Sequence, residues 1–325
     1  MWPKPCKLKG EMMSEHKFFI VDAFTDKVFG GNAAGVVILD ENDDFPSDET
    51  MLKLAAELRY SETVFIKPEP CDNECDFHAR YFTPTDEVDL CGHATIGGIY
   101  CLNKTAFLQN GSIRLKTKAG IINVTVKGSD VLMDMAAPVH IATFEDEQLL
   151  KRIYRSMGIA VPSEDSISHL KPMAISTGLP DIMLPIPSKK ILDQMKPNME
   201  MISELSRDLN VVGIHAFATN YDEEISNERN VFCRNFAPLY GIDEEAATGT
   251  SNGALSFYFY INDMLSPNSR LNVIQGESMQ RPSSITAMLS QDSSMLNDSN
   301  SCFENKMKIR VGGSAAILAK GTVQL

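Results

Sequence analysis

Three short stretches of the chain carry residues that could move protons or hold an anion. DLCGHAT sets Cys91 and His93 at the mouth of an apolar run. A cysteine there could serve as nucleophile, redox thiol or metal ligand, and the histidine as a base. RYSETVF sets Glu62 where a helical pattern hands over to a strand, among Tyr60, Val64 and Phe65. A carboxylate in apolar surroundings is poised nearer neutrality and can act as general acid or base. The plainer alternative is an outward-facing strand glutamate. The third stretch, EEAATGTSN, repeats the small polar turn of CGHAT about 157 residues later, from Cys91 to Thr248. The first turn of a helix offers unpaired backbone N–H groups and the positive end of a dipole, so both turns are candidate anion cradles. Here the plainer alternative is that Thr, Ser and Asn merely cap helices.

Two other groupings point less clearly to chemistry. Cys71, Cys75 and His78 form C-x3-C-x2-H. Zinc usually takes four ligands with a second pair at recognisable spacing, and no such pair follows closely, so no metal site is expected. GGNAAG, residues 30–35, resembles a phosphate loop but lacks the Lys-Ser/Thr of a P-loop and the spacing of a dinucleotide fingerprint. It is expected to be a turn between strands, with Asn32 free to donate hydrogen bonds.

The elements that would position these residues follow from periodicity. Short β-rich runs such as GVVIL and IMLPI alternate with amphipathic helical patterns at 47–59, 145–157 and 198–209. Two segments differ. ATIGGIYCL (94–102) and GALSFYFYI (253–261) are apolar on every face, which predicts helices buried on all sides. Each follows one of the two polar turns and is preceded by a β-run and an acidic stretch. The repetition predicts an internal duplication, each half a sheet wrapped around one buried helix. The expected class is therefore α+β with two pseudo-symmetric domains. Residues 1–16 form a polar extension, 17–137 the first domain and 138–325 the second, with the last strand able to return to the first. The join is placed in the turn AAPVHIA (136–142), and the polar stretch 289–305 is expected to be an exposed loop.

Bulk properties narrow the function classes. A chain of 325 residues exceeds what one core usually organises. The formal charge is −13 and no basic stripe stands out, so no nucleic-acid partner is expected. Seven scattered cysteines suit free thiols in a reducing compartment. No apolar run approaches the length of a bilayer span, and the N-terminus lacks a signal-like apolar core, so no membrane is expected and the cytoplasm is the default location.

Several stretches together resemble one family. VDAFTDKVFGGNAAGVVIL, SETVF, RYFTPTDEVDLCGHAT, ISTGLPDIML, RNFAPLYGIDEEAATGTSNGAL, and QGESMQRPSSI followed by VGGSAAILAKG are similar to the phenazine biosynthesis-like (PhzF) family, in order from about Phe18 to Gln324. The resemblance implies the diaminopimelate epimerase-like fold, with a mixed sheet curled around a buried central helix in each half. It implies a cofactor-independent isomerase acting in an interdomain cleft, often as a homodimer. The activity known in the family is isomerisation of a dihydro-hydroxyanthranilate by proton transfer. By the same resemblance Glu62 is the catalytic glutamate, and His93 and Glu245 are its polar partners. The family's EDPATGS motif stands here as Glu244, Glu245, Ala246, Ala247, Thr248, Gly249 and Thr250, so aspartate, proline and serine are replaced. Epimerases of this fold place a cysteine at each helix tip. By that resemblance Cys91 matches the first position and Thr248 the second, so a two-thiol inversion is not expected.

The expected function is an isomerase moving a proton on a small anionic, carboxylate-bearing metabolite. Glu62 is the general acid/base, with His93 and Glu245 relaying protons. Asn32, Gly92, Ala94, Thr95, Thr248, Gly249, Thr250 and Ser251 are expected to bind substrate, largely through backbone N–H groups. Two other readings stay open: an epimerase-like enzyme using Cys91, and a non-catalytic binding protein on the same fold.

Overall fold

The structure, a computed structural model, describes residues 14–105, 108–219, 230–291 and 307–325. The chain lays down the same series of elements twice. The first series is β1 (Glu15–Ala23), β2 (Asn32–Ile38), α1 (Asp48–Leu58), β3 (Thr63–Pro68), β4 (Phe77–Phe82), β5 (Glu87–Val88), α2 (Gly92–Lys104), β6 (Gly111–Thr117), β7 (Gly120–Lys127) and β8 (Asp130–Asp134). After β9 (Val139–Thr143) and α3 (Glu147–Ser156) the second series follows. It is β10 (Met173–Ser176), β11 (Pro180–Pro185), α4 (Lys189–Gln194), α5 (Met199–Leu209), β12 (Gly213–Ala218), β13 (Asn230–Ala237), β14 (Ile242–Glu245), α6 (Gly249–Ile261), β15 (Ser269–Gln275), β16 (Ser283–Gln291) and β17 (Met307–Gly313). A last strand, β18 (Ala315–Gln324), ends the chain.

Strand pairing repeats with the elements. In the first half β1–β2 is antiparallel, β2–β3 parallel, β3–β4 antiparallel, β4–β6 parallel, and β6–β7–β8 antiparallel. In the second half β10–β11, β11–β12, β12–β13, β13–β15 and β15–β16–β17 repeat those senses in the same order. β18 crosses back to pair with β1, as β9 pairs with β10, and β8 pairs with β17 to join the halves.

Each half is built around one helix. α2 and α6 are both 13 residues long and lack a polar face. Ile96, Ile99 and Leu102 of the first, and Leu255, Phe257 and Phe259 of the second, are essentially inaccessible to solvent. Small residues let the sheet come close. A Cβ at Gly98 would stand 3.2 Å from Val64 Cγ1, and one at Gly253 3.2 Å from Val311 Cγ2. The outer faces of the sheets are covered too, by α1 over Val37, Phe65 and Phe82, and by α3, α4 and α5 over Ile182, Leu184 and Ala216. Strands buried on both faces need no alternation, which explains the continuous apolar runs GVVIL and IMLPI.

Three expectations on element placement need correction. The segment 136–142, read as a turn, contains the start of β9; its Val139 and Ile141 are exposed edge-strand residues, so no buried face imposes an alternating pattern there. β16 runs into the expected polar loop as far as Gln291, because its pairing with β17 continues to the Gln291–Met307 pair; residues 292–306 of that loop lie outside the described residues. The strand β1 begins at Glu15, within the expected polar extension, because Glu15 and His16 pair with Gln324 and Val323 of β18.

Candidate active site

The two central helices begin alike. The residues before them, Cys91 and Thr248, are both extended, with φ of −134° and −126°, and neither side chain caps its own helix. The surface helices α1, α3, α4 and α5 are all capped, by Ser47, Asp146, Ser188 and Asn198. At α2 and α6, therefore, no cap side chain competes for the first N–H groups, which leaves donors and a positive dipole end for another acceptor.

Around the α2 tip the structure assembles four of the polar residues singled out above. Glu62 ends the connection between α1 and β3, and its Oε2 lies 3.2 Å from His93 Nε2 on the first turn of α2. That oxygen is buried yet makes no aligned hydrogen bond in the protein. His93 Nε2 is also 3.2 Å from Ser61 Oγ, while His93 Nδ1 lies 3.3 Å from Asn32 Nδ2 at the start of β2. Because an amide nitrogen can only donate, Nδ1 accepts and the proton sits on Nε2, facing Glu62 and Ser61. Burial lowers the affinity of His93 for a second proton and keeps the ring neutral, with Glu62 opposing more weakly.

Asn32 carries the row across to the second half. Its Nδ2 donates to Glu245 Oε1 at 2.9 Å and approaches the Ala247 carbonyl at 3.3 Å. Glu245 is the last residue of β14. Burial, and next the charge on Glu62, raise its carboxyl from 4.5 to about 8. The row Glu62–His93–Asn32–Glu245 therefore joins a carboxyl with an unsatisfied buried oxygen to a second carboxyl that keeps its proton at neutral pH. Two carboxyl groups held in unlike environments are what paired general acid/base work requires.

Asn32 is held by a contact that the sequence did not reveal. Arg281, in the turn between β15 and β16, donates to the buried Asp22 at 2.6 Å and to the carbonyls of Gly30 and Gly31 at 2.7 and 2.9 Å. Gly31 has φ +61°, and a Cβ there would meet the Ala23 carbonyl at 2.1 Å, so the turn into Asn32 requires glycine. The same segment holds the Glu245 side of the row, since Ser283 Oγ donates to the Ala246 carbonyl at 2.7 Å. Arg281 stood in the motif QGESMQRPSSI without a role, because a clamp of this kind depends on a tertiary contact.

The other expected binding residues fall into two groups. Gly92 has open space around it, with nothing within 4 Å of a Cβ built there, and Gly249 has only Phe24 and Val311 at 3.8 Å. These positions leave room for a ligand at the helix tips. Ala94, Thr95 and Ser251 are buried, and the hydroxyls turn inward. Thr95 Oγ1 donates to the Cys91 carbonyl at 2.7 Å and pairs with Tyr81 Oη at 2.7 Å, while Ser251 Oγ donates to Asp181. The Thr95 N–H is also taken, by the Cys91 carbonyl at 3.0 Å, so only the backbone N–H groups of Ala94 and Ser251 remain for substrate. Thr250 offers its carbonyl to Thr177 Oγ1 at 2.8 Å.

Cys91 Sγ lies 3.4 Å from His93 Nδ1. Burial first, and then the Glu62 charge, push this thiol well above its usual range, so it is protonated rather than a ready thiolate. Glu62, Cys91 and His93 bring metal-ligating atoms within 4.8 Å of one another, the only such group among the described residues. Cys91 would have to lose its proton to join a metal there. Cys71, Cys75 and His78 form no such group, and burial pushes the Cys75 thiol up to about 11.

The architecture has counterparts among known proteins. Residues 21–321 match the family model for phenazine biosynthesis-like proteins, and the chain belongs to that family. An uncharacterized isomerase of Clostridium acetobutylicum is 30% identical over 97% of this chain and 100% of its own length. The crystal structure of a Bacillus anthracis phenazine biosynthesis protein of the PhzF family superposes with a TM-score of 0.77, at 27% identity, over 96% of this chain and all of that one. A hydroxyproline epimerase of Agrobacterium vitis, solved with trans-4-hydroxy-L-proline, shares the fold with a TM-score of 0.61 at 12% identity, over 97% of this chain and 93% of that one. The α+β fold of two like halves, each a sheet around a buried helix, is that of the PhzF and epimerase-like proteins.

Proposed function

We propose that this member of the phenazine biosynthesis-like family is an isomerase that moves a proton on a small carboxylate-bearing substrate, without a cofactor, in the cleft between its two halves. Glu62 takes a proton from a carbon acidified by a neighbouring carbonyl or conjugated system. The C–H bond breaks, an O–H bond forms on Glu62, and the electron pair moves into the substrate's π-system. The same proton returns to a different carbon once the double bonds have shifted. One base serves both steps where water is kept out. Neutral His93 faces Glu62 with its Nε2–H, and Glu245, protonated at neutral pH, donates a hydrogen bond to substrate. The N–H groups at residues 92–94 and 249–251 hold the carboxylate.

The observation that carries this reading is the buried, unsatisfied Oε2 of Glu62. Its one near donor, the His93 Nε2–H at 3.2 Å, is not aligned with it; a buried acceptor left without a full hydrogen bond costs up to about 1–3 kcal/mol, and a substrate proton would relieve that cost. The names of the relatives support the reaction class, and Thr248 opposite Cys91 weighs against inversion by two thiols. The test is kinetic. Glu62→Gln is nearly isosteric, and turnover of a dihydro-hydroxyanthranilate or of a substrate found by screening small carboxylates should fall by about 10²–10⁴-fold while binding persists. Full turnover by the variant would refute the assignment.

A further inference from the structure

The N-terminus of α6 rests on a chain of buried side chains that has a direction. An amide nitrogen only donates and an amide oxygen only accepts, so amides in series around a neutral histidine define which way every bond points. The chain begins at the fully buried Asp181 of β11, whose Oδ2 accepts from Ser251 Oγ and, at 3.3 Å, from Asn235 Nδ2. The Asn235 nitrogen also lies 3.2 Å from Ser251 Oγ and 3.2 Å from His215 Nδ1. A flipped Asn235 amide would set its oxygen against the Asp181 oxygen, so the nitrogen is the atom that faces this cluster. His215 Nδ1 therefore accepts, and Nε2 carries the proton.

His215 is buried in the middle of β12, and burial lowers its affinity for a second proton to about 4, so the neutral tautomer persists at neutral pH. Its Nε2 lies 3.2 Å from Asn252 Oδ1 on the first turn of α6. Asn252 Nδ2 then donates to the Thr248 carbonyl at 2.8 Å and to Gln275 Oε1 at 2.9 Å. Gln275 Nε2, at the end of β15, donates to the Glu245 carbonyl at 2.8 Å and to Thr248 Oγ1 at 3.0 Å. The series ends on Thr248 as an acceptor. A hydroxyl that accepts one bond keeps its own hydrogen to donate, and no hydrogen bond among the described residues uses the one on half-buried Thr248.

The other helix tip lacks this arrangement. Thr95 is the pseudo-symmetric counterpart of Asn252, and its hydroxyl closes locally on Tyr81 and the Cys91 carbonyl. Cys91, the counterpart of Thr248, offers only a weak S–H donor. The two tips are thus alike in backbone and unlike in side-chain polarity.

We propose that Gln275, Asn252 and His215 are positioning residues that fix Thr248 as a hydrogen-bond donor into the cleft, so that the α6 tip selects an anionic oxygen of the substrate. The proposal rests on the proton-transfer reading above for the identity of the cleft as a substrate site, and it orients that substrate. The carboxylate sits toward Thr248, and the acidified C–H toward Glu62. A hydrogen bond to a charged acceptor is worth about 1.5–3 kcal/mol, roughly 10- to 100-fold in binding.

The test compares two probes that differ in one group, 2-aminobenzoate and benzene-1,2-diamine, by isothermal titration calorimetry on the full chain. The wild-type protein should bind the carboxylate at least tenfold more tightly. Thr248→Val should lose about tenfold or more for 2-aminobenzoate and leave the diamine unchanged, and Thr248→Ser should restore the preference. Gln275→Leu fills the same space without a donor, so the hydroxyl is free to rotate and the preference should narrow; a purely structural role would weaken both probes alike. Ring ¹⁵N shifts of His215 should show a protonated Nε2 and a bare Nδ1 from about pH 5.5 to 8.5. An Nδ1–H tautomer, or carboxylate binding undiminished in Thr248→Val, would overturn the proposal while leaving Glu62-dependent turnover untouched. A wild-type protein that binds neither probe would overturn the substrate-site reading together with the proposal.

Discussion

Replacing Glu245 by glutamine should raise stability, and by more as the pH rises. Burial and the Glu62 charge lift the Glu245 carboxyl from 4.5 to about 8. The folded protein therefore keeps a proton that the unfolded chain releases above about pH 4.5, and linkage makes wild-type stability fall between about pH 4.5 and 8 and level off beyond. Each tenfold difference in proton affinity is worth about 1.4 kcal/mol, so a span of about 3.5 pH units sets a ceiling of roughly 5 kcal/mol. Glu245 is half-buried rather than sealed, and water and relaxation bring the working figure to about 2 kcal/mol. Glutamine can still accept from Asn32 through its oxygen and has no charge to develop. Urea unfolding of both proteins should show a gap near zero at about pH 5 that widens to about 2 kcal/mol at about pH 8.5, with unchanged m-values. A gap that stays constant over that range would show that Glu245 titrates normally and would remove the general acid from the site.

Other consequences follow from the same contacts. Asn32→Leu removes the donor shared by His93, Glu245 and the Ala247 carbonyl; it should cost about 1–3 kcal/mol in unfolding free energy and lower the carboxyl-acid limb of the pH–rate profile's amplitude. Arg281→Met leaves buried Asp22 without its cation and should destabilise by about 3–5 kcal/mol in the same assay. Ile99→Ala opens a cavity beneath the first sheet and should cost about 2–5 kcal/mol, measured by denaturant unfolding. Iodoacetamide at neutral pH should label exposed Cys71 well before Cys91, whose thiol is buried and held protonated; mass spectrometry of the labelled peptides reads the order.

The sequence showed most clearly what repeats along the chain, and least clearly what contacts across it. ATIGGIYCL and GALSFYFYI stood out because a helix with no polar face has to be buried, and the structure sets each at the centre of a sheet. The amphipathic patterns at 47–59, 145–157 and 198–209 correspond to α1, α3 and α5 within a residue or two at each end. The six-residue α4 left too short a pattern to see. Glu62 and His93 came from a motif, but the Asn32–Glu245 bond joins residues 213 positions apart, and nothing local announces it. Ser251 and Thr95 were expected at the cleft because of their helix-tip position. Their hydroxyls face inward because buried polar neighbours, Asp181 and Tyr81, need partners more than solvent does.

The most direct test of the central claim is solvent-deuterium exchange at the substrate carbon. A dihydro-hydroxyanthranilate, or a screened carboxylate that the protein turns over, is incubated in D2O with wild-type protein and with Glu62→Gln, and deuterium is located by NMR. With wild type the account predicts turnover in which the substrate's own hydrogen reappears at the new carbon with little deuterium beside it, because one base carries the proton where water is kept out, and with the variant no turnover above background. Turnover by Glu62→Gln at the wild-type rate, or full deuterium incorporation by wild type, would contradict it.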